Sequence, residues 1–403
     1  KNSRNSGKIK RGNKLMREMG IYVHIPFCQK KCAYCDFCSY ENQTDLIDGY
    51  MNYVLKEIQE TAEETKMDCQ AKLVEPLQIS SIYIGGGTPS FIPAHWITQI
   101  IDTIQKGFLV KKDAEISIET NPGTLDKSKL ETYLVAGINR LSIGVQSTSN
   151  HLLKKLGRIH TYEQFLENYK LARQIGFQNI NLDFMIGLPD QSLSDIKQMV
   201  QEIQHLQPEH VSVYSLILEE NTKMMDDYQN GAIELPSDDL EREMYWYTKK
   251  HLEQLGYQHY EISNFAKEGY WCQHNLNCWN QKEYMGFGVS AHSYTDLARY
   301  SNIEDIPLYI QNFQMNEETD NIVIHEVQKQ DSQMKEYMML GFRKLEGIDG
   351  KNFYQKFHQN MWEIFADELS ELWNEGLITI KNDQVFLTNK GLDLANLVFE
   401  AFC

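Results

Sequence analysis

Tyr22-Val23-His24-Ile25-Pro26-Phe27-Cys28-Gln29-Lys30-Lys31-Cys32-Ala33-Tyr34-Cys35-Asp36-Phe37-Cys38 governs the reading of the chain, because half of its eight cysteines fall within eleven residues there. Cysteines crowded in this way in an otherwise cysteine-poor sequence usually hold a metal. The tightest pattern is C-x3-C-x2-C, made by Cys28, Cys32 and Cys35. Three thiolates are one short of the four that close an ordinary ferredoxin cluster, so a cubane on these residues leaves one iron open to a substrate or cofactor. One chemistry that uses such an iron chelates the amino and carboxylate groups of S-adenosylmethionine, delivers one electron and breaks a carbon–sulfur bond.

Cys38 offers other readings. As a fourth ligand it would close the cluster into an electron-transfer or structural centre; with Cys35 it would form one C-x2-C zinc half-site. The other cysteine pair, Cys272 and Cys278 with His274 between them, fits zinc spacing only loosely. A disulfide framework suits small secreted domains better than a 403-residue chain. An iron–sulfur site is the expectation, with Cys38 as a spare thiol.

With 42% hydrophobic residues the chain can bury a full core, and no apolar run approaches the roughly 20 residues of a membrane span. It is expected to be cytoplasmic. A formal net charge of -17 argues against a general nucleic-acid surface, yet leaves room for a local basic pocket. Residues 1–19 break the pattern, with seven lysines and arginines against Glu18, and read as a disordered, solvated tail rather than a nucleic-acid arm or targeting segment. Met16 and Met19, just ahead of the first strand-like run, are candidate start residues.

From Gly20 short apolar runs alternate with amphipathic stretches. The runs are 21–25, 81–84, 115–119, 140–145, 179–186 and 211–218. Between the first two, Ile47, Tyr50, Met51, Val54 and Ile58 mark one helical face. Six strand–helix repeats predict an α/β fold with a parallel sheet and helices outside, as an open sheet or a barrel. Ligands of such folds gather at the carboxyl ends of the strands, where the unusual residues fall. The first run leads into the cysteine loop and the second into Gly85-Gly86-Gly87-Thr88-Pro89. The third ends at Glu119, the fourth at Gly144-Val145-Gln146-Ser147, and the fifth carries Asp183. A glycine triplet brings backbone N–H or C=O groups close to a ligand, and here it lacks the lysine of a phosphate-binding loop. Glu119 and Asp183 can accept from hydroxyls or face a cation, Gln146 can donate and accept, and Arg158 can pair with a carboxylate.

The ordered set HIPFC-x3-C-x-YC, YIGGGTPS, SIETNPGT, RLSIGVQS, LGRIHT and NLDFMIGLPDQ resembles the radical S-adenosylmethionine (radical SAM) proteins of the oxygen-independent coproporphyrinogen III oxidase family. The resemblance runs from Gly20 to about Ala395. It implies a partial six-unit (β/α) barrel with a smaller, mainly helical C-terminal domain, and a [4Fe-4S] cluster on Cys28, Cys32 and Cys35. At matching positions Tyr22, Gly86, Gly87, Thr88, Glu119, Gln146, Arg158 and Asp183 would contact S-adenosylmethionine. No catalytic residue is assigned. An electron donor such as flavodoxin or ferredoxin would serve the cluster.

The family has two branches. Its oxidases decarboxylate two propionates of coproporphyrinogen III and carry a fourth cysteine in a C-x-C ending. The other branch comprises heme chaperones that bind heme and pass it to acceptor proteins. The chain resembles the chaperones in its short N-terminal segment, in Cys35-Asp36-Phe37, and in His274-Asn275-Leu276-Asn277-Cys278-Trp279, which resembles an HN-x-x-YW motif with Cys278 in place of tyrosine. His274 and Cys278 become candidate heme ligands, since imidazole and thiolate are ordinary axial ligands; the alternative is that they fill a structured loop. The expected division is a tail at 1–19, a barrel domain at 20–300 and a helical, wing-like domain at 301–403.

Overall fold

The computed structural model describes residues 16–71, 75–316 and 318–403. All six predicted strands form: β1 (Arg17–Ile25), β2 (Leu77–Gly86), β3 (Leu109–Thr120), β4 (Arg140–Gln146), β5 (Ile180–Ile186) and β6 (His210–Ser215). They pair in parallel in sequence order. Between them lie α1 (Ile47–Gln70), α2 (Ala94–Gly107), α3 (Lys127–Ala136), α4 (Asn150–Lys155), α5 (Tyr162–Ile175) and α6 (Leu193–Leu206). α1 buries the predicted face of Ile47, Tyr50, Met51, Val54 and Ile58. α5 and α6 start with reciprocal capping boxes, Thr161 with Gln164 and Ser192 with Asp195, which satisfy backbone donors that a helix start leaves open.

The tail ends earlier than expected. Residues 1–15 lie outside the described residues, but β1 begins at Arg17, whose guanidinium pairs with Glu283 and Asp296, and Met19 is buried in the core. These contacts are too distant in sequence for a local reading to find.

Past β6 come α7 (Lys223–Gln229), α8 (Asp238–Gln254) and the antiparallel pair β7 (Gln258–Glu261) and β8 (Asn264–Ala266). α9 (Gln273–Trp279) follows, then β9 (Tyr284–Phe287), β10 (His292–Thr295) and β11 (Ala298–Asn302). β9 pairs with β1 and β8 with β6, so the barrel stays open between its first and last strands. Alternation along the strands sorts the side chains. Ile21, Val23, Ile82, Ile84, Ile118, Ile143, Leu182 and Val211 join the helices in the main core. Their neighbours Tyr83, Glu119, Ser142 and Asp183 face a cavity within the barrel.

The predicted boundary at 301 falls inside the larger unit. α10 (Ile306–Met315) buries Ile306, Tyr309 and Phe313 in the barrel core, Tyr309 Oη donates to Glu57 Oε2 (2.6 Å), and β12 (Ile322–Val327) extends the sheet on β11. A second core then gathers Met338, Phe342, Phe353, Phe365 and Leu372 from the segment 330–400, beside a three-stranded sheet that contains a hairpin of Ile378–Lys381 and Gln384–Leu387. Among the described residues, no helix is long and apolar enough to cross a membrane.

Candidate functional site at the barrel mouth

The cysteine loop is closed at its neck, where Tyr40 N–H donates to Pro26 O (2.7 Å) and Cys28 N–H to Tyr40 O (2.9 Å). Its far side is held twice: Ala33 N–H donates to Leu156 O (3.0 Å), and Met224 N–H to Ala33 O (2.8 Å). Cys28, Cys32 and Cys35 all line one cavity of about 500 Å³ at the carboxyl ends of the strands. Cys38 does not; its thiol faces Tyr40 Oη (3.5 Å) and Glu304 O (3.9 Å). All eight cysteines are free, which removes the disulfide reading. Among the described residues, no three His, Cys, Asp or Glu side chains converge tightly enough for a single metal ion. Three thiols on the wall of one cavity are a donor set that would hold a [4Fe-4S] cluster with one iron left open. Burial pushes the Cys28 and Cys35 thiols up, and Cys32 adds to the rise by charge repulsion.

Seven of the eight predicted cofactor-contact residues line this cavity: Gly86, Gly87, Thr88, Glu119, Gln146, Arg158 and Asp183. The eighth, Tyr22, does not. Its ring stacks behind Tyr83 with centroids 6.3 Å apart, and its hydroxyl meets His24 Nδ1 at 3.0 Å.

The glycine triplet works differently from expectation. Gly86 N–H donates to Glu119 Oε2 (3.1 Å), Gly87 N–H to Ile25 O (2.9 Å) and Thr88 N–H to Phe27 O (2.9 Å). The first donor ties β2 to β3, and the other two tie the end of β2 to the root of the cysteine loop. The missing side chain matters for the same reason: a Cβ on Gly87 would lie 2.9 Å from Cys28 Sγ and 3.0 Å from Phe27 O. Gly86, at φ +118°, has a backbone that favours glycine.

Glu119 also accepts from Tyr83 Oη (2.9 Å), and burial raises its pKa to about 7 against the pull of its hydrogen bonds. Asp183 accepts from Ser142 Oγ (2.9 Å) and Asn181 Nδ2 (2.7 Å); burial raises it too. Gln146 sits at a bulge with φ +65° and accepts from Tyr214 Oη (2.7 Å). Arg158 donates to Gly144 O (2.7 Å), Asn121 Oδ1 and Cys32 Sγ (3.5 Å). Asn121 in turn donates to Thr88 Oγ1 (2.8 Å), which sits 3.5 Å from Cys28 Sγ. Asn121, Tyr34, Tyr83 and Tyr214 were given no role by the motif reading, although inward alternation on β2 and β6 marks the last two.

His274 and Cys278 are not at this mouth. α9 lies against β2, and Glu115 accepts from the N–H groups of Gln273 (3.1 Å) and His274 (3.2 Å) at its start. His274 is 7% exposed; Nδ1 meets Ser81 Oγ at 3.1 Å and its ring stacks on Tyr83 at 5.1 Å. Burial lowers its pKa to about 4, helped by nearby Arg140. Burial likewise pushes the Cys278 thiol up to about 12. Neither residue lines the cavity at the barrel mouth: His274 is buried against β2, and Cys278, farther along α9, is half-buried.

Comparison with known proteins agrees with the architecture. The Radical SAM superfamily matches residues 22–203, and the HemN C-terminal domain matches residues 328–394. The chain is 37% identical to the heme chaperone HemW of Bacillus subtilis over 387 residues, covering 94% of this chain and 98% of that protein. It is 34% identical to the heme chaperone HemW of Lactococcus lactis, over 96% and 98% of the two chains. The solved structure of coproporphyrinogen III oxidase (HemN) from Escherichia coli superposes with a TM-score of 0.81 at 24% identity, covering 97% of this chain and 91% of that one, which shows a shared fold.

Proposed function

The chain belongs to the heme chaperone HemW family within the radical SAM superfamily, and on that premise we propose that it binds heme and passes it to acceptor proteins. We assign a [4Fe-4S] cluster to Cys28, Cys32 and Cys35 and S-adenosylmethionine to the adjoining cavity. When bound, the pair supplies reductive cleavage of a carbon–sulfur bond. The chain's own groups bind and orient: Arg158 offers a cation to the cofactor carboxylate, Asp183 and Gln146 face its hydroxyls, and Glu119 offers a carboxylate to positive charge. Thr88 holds its place beside Cys28.

The observation that supports heme as the cargo is the rim of the cavity. Phe37 and Ile217 line it and are nevertheless 65% and 66% exposed, and Lys30 stands on the same wall. A flat apolar macrocycle with carboxylate arms matches two exposed apolar side chains beside an ammonium group. Covering both should contribute at least about 1.4 kcal/mol, or tenfold in affinity.

The test is a heme titration followed by absorbance, comparing the cluster-loaded chain with Phe37→Ser/Ile217→Ser. A tenfold weaker Kd with unchanged iron content is expected; equal affinity would remove the rim from the site. A parallel anaerobic assay with coproporphyrinogen III, S-adenosylmethionine and a reductant tests the other branch of the family, and decarboxylated product would replace the chaperone reading with the oxidase reading.

A further inference from the structure

The cysteine loop has a second face. Behind the thiols lies a separate open cleft of about 440 Å³, whose wall includes Cys32 and Cys35 together with Lys30, Lys31, Lys154, Lys155 and Lys223. Asp227 is the one carboxylate on that wall, and it pairs with Lys223. Lys155 pairs with Asp190, whereas Lys30 and Lys154 are exposed and have no carboxylate partner among the described residues. In a chain with 56 acidic and 39 basic residues, five lysines around one cleft are a local reversal of charge.

The cleft is also firmly built. Ala33 is hydrogen-bonded to Leu156 at the end of α4 and to Met224 in α7, and Leu152, Leu156 and Met224 pack in a small core against Ala33 and Tyr34. The lysines on α4 and α7 are thus fixed relative to Cys32 and Cys35. Cys32 and Cys35 line both this cleft and the inner cavity, so a group docked here lies against the loop that carries those thiols.

We propose that this lysine-lined cleft is the docking surface for a small acidic one-electron carrier protein. The inference rests on the cluster assignment above. Charge complementarity would steer the carrier to this basic cleft of an acidic molecule and orient its redox centre toward the thiol wall. The reduced carrier would be oxidised by one electron, and the [4Fe-4S] cluster that Cys28, Cys32 and Cys35 would hold would be reduced by it; no proton or group is transferred. Lysines at the mouth of such a cleft act mainly on encounter, so their effect is strong at low salt and fades as the screening length shrinks.

The cluster-loaded full chain is titrated with flavodoxin at low and high salt, beside Lys154→Glu/Lys223→Glu and a control, Lys250→Glu, at an exposed position on α8. The expected result is a Kd at least about tenfold weaker in the double variant at low salt, a difference that narrows at high salt, and no change in the control. Dithionite, which needs no docking, should reduce all three proteins at one rate. Equal flavodoxin affinity in wild type and double variant would overturn the proposal, as would pyrophosphate binding without flavodoxin binding, which would make the cleft a site for free anions. Iron content and heme titration on the same samples separate the two readings: intact iron and heme binding without flavodoxin affinity would sink the docking surface alone.

Discussion

Replacing His274 with alanine separates a buried structural imidazole from a heme ligand. The ring fills space under Tyr83 and its Nδ1 meets Ser81 Oγ at 3.1 Å, with Asn277 Nδ2 also donating to that hydroxyl (3.4 Å). Truncation leaves a cavity and removes one hydrogen bond, but Ser81 keeps its second partner. The cost should be about 2–4 kcal/mol. At roughly 2 °C per kcal/mol for a unit of this size, the melting temperature should fall by about 4–8 °C.

The titration of the same ring gives the prediction a second edge. His274 is held neutral in the fold, with a pKa lowered to about 4 by burial and by Arg140, whereas an unfolded histidine protonates near 6.5. Below pH 6.5 the unfolded chain therefore binds a proton that the folded chain refuses. The stability this residue contributes is complete above 6.5 and is lost as pH falls toward 4. Between pH 7.5 and 5 the loss is about 2 kcal/mol, and the alanine variant is spared it. Thermal melts at the two pH values should thus show a large gap between wild type and variant at 7.5 that narrows by about 2 kcal/mol at 5, while heme titration stays unchanged. A variant that melted like wild type but had lost heme would refute the structural placement, and a gap that did not change with pH would refute the neutral imidazole.

Alanine at Cys28, Cys32 or Cys35 should each abolish iron binding after reconstitution, measured by iron assay and cluster absorbance, whereas Cys38→Ala should retain it because that thiol faces Tyr40 and Glu304. Iron loss from Cys38→Ala equal to that of the other three would restore the four-ligand reading. Glu119, with its pKa raised to about 7 from a usual 4.5, favours the fold fully below 4.5 and loses that advantage as pH rises through 7. In melts without cofactor, Glu119→Gln should therefore gain about 2–3 kcal/mol relative to wild type between pH 5 and 8; parallel pH profiles for the two proteins would count against a buried, protonated carboxyl.

The strands were readable because each parallel strand is apolar on its helix-facing side and is followed by a helix with a 3.6-residue stripe, as Ile47 to Ile58 illustrate. The mouth residues were readable because a parallel sheet sends every strand's carboxyl end to one side, which gathers Thr88, Glu119, Gln146 and Asp183 without any knowledge of the turns between them. What depends on long-range closure was not readable. Nothing local in His274-Asn275-Leu276-Asn277 tells that α9 tucks against β2 with Glu115 capping its start, nor that Arg17 finds Glu283. Tyr22 shows a finer limit: it sits on the strand that the motif names, but it is its register neighbour Tyr83 that lines the cavity.

The motifs owe their joint action to one residue that no motif reading assigned, Asn121. Cys28 meets Thr88, Thr88 accepts from Asn121, Asn121 accepts from Arg158, and Arg158 donates onward to Cys32. This chain of contacts leaves the cysteine loop, crosses the ends of β2 and β3, and returns to the loop. Arg158 also holds the Gly144 carbonyl, where a Cβ would come within 2.7 Å of Asn121 Oδ1, so β4 must stay bare for the link to close. Because burial makes each unpaired member costly, the contacts hold together as a unit. The spacing of the thiols and the seat for the cofactor carboxylate are therefore not independent settings: a change at Asn121, which contacts neither a predicted metal ligand nor a predicted ribose partner directly, would loosen both at once.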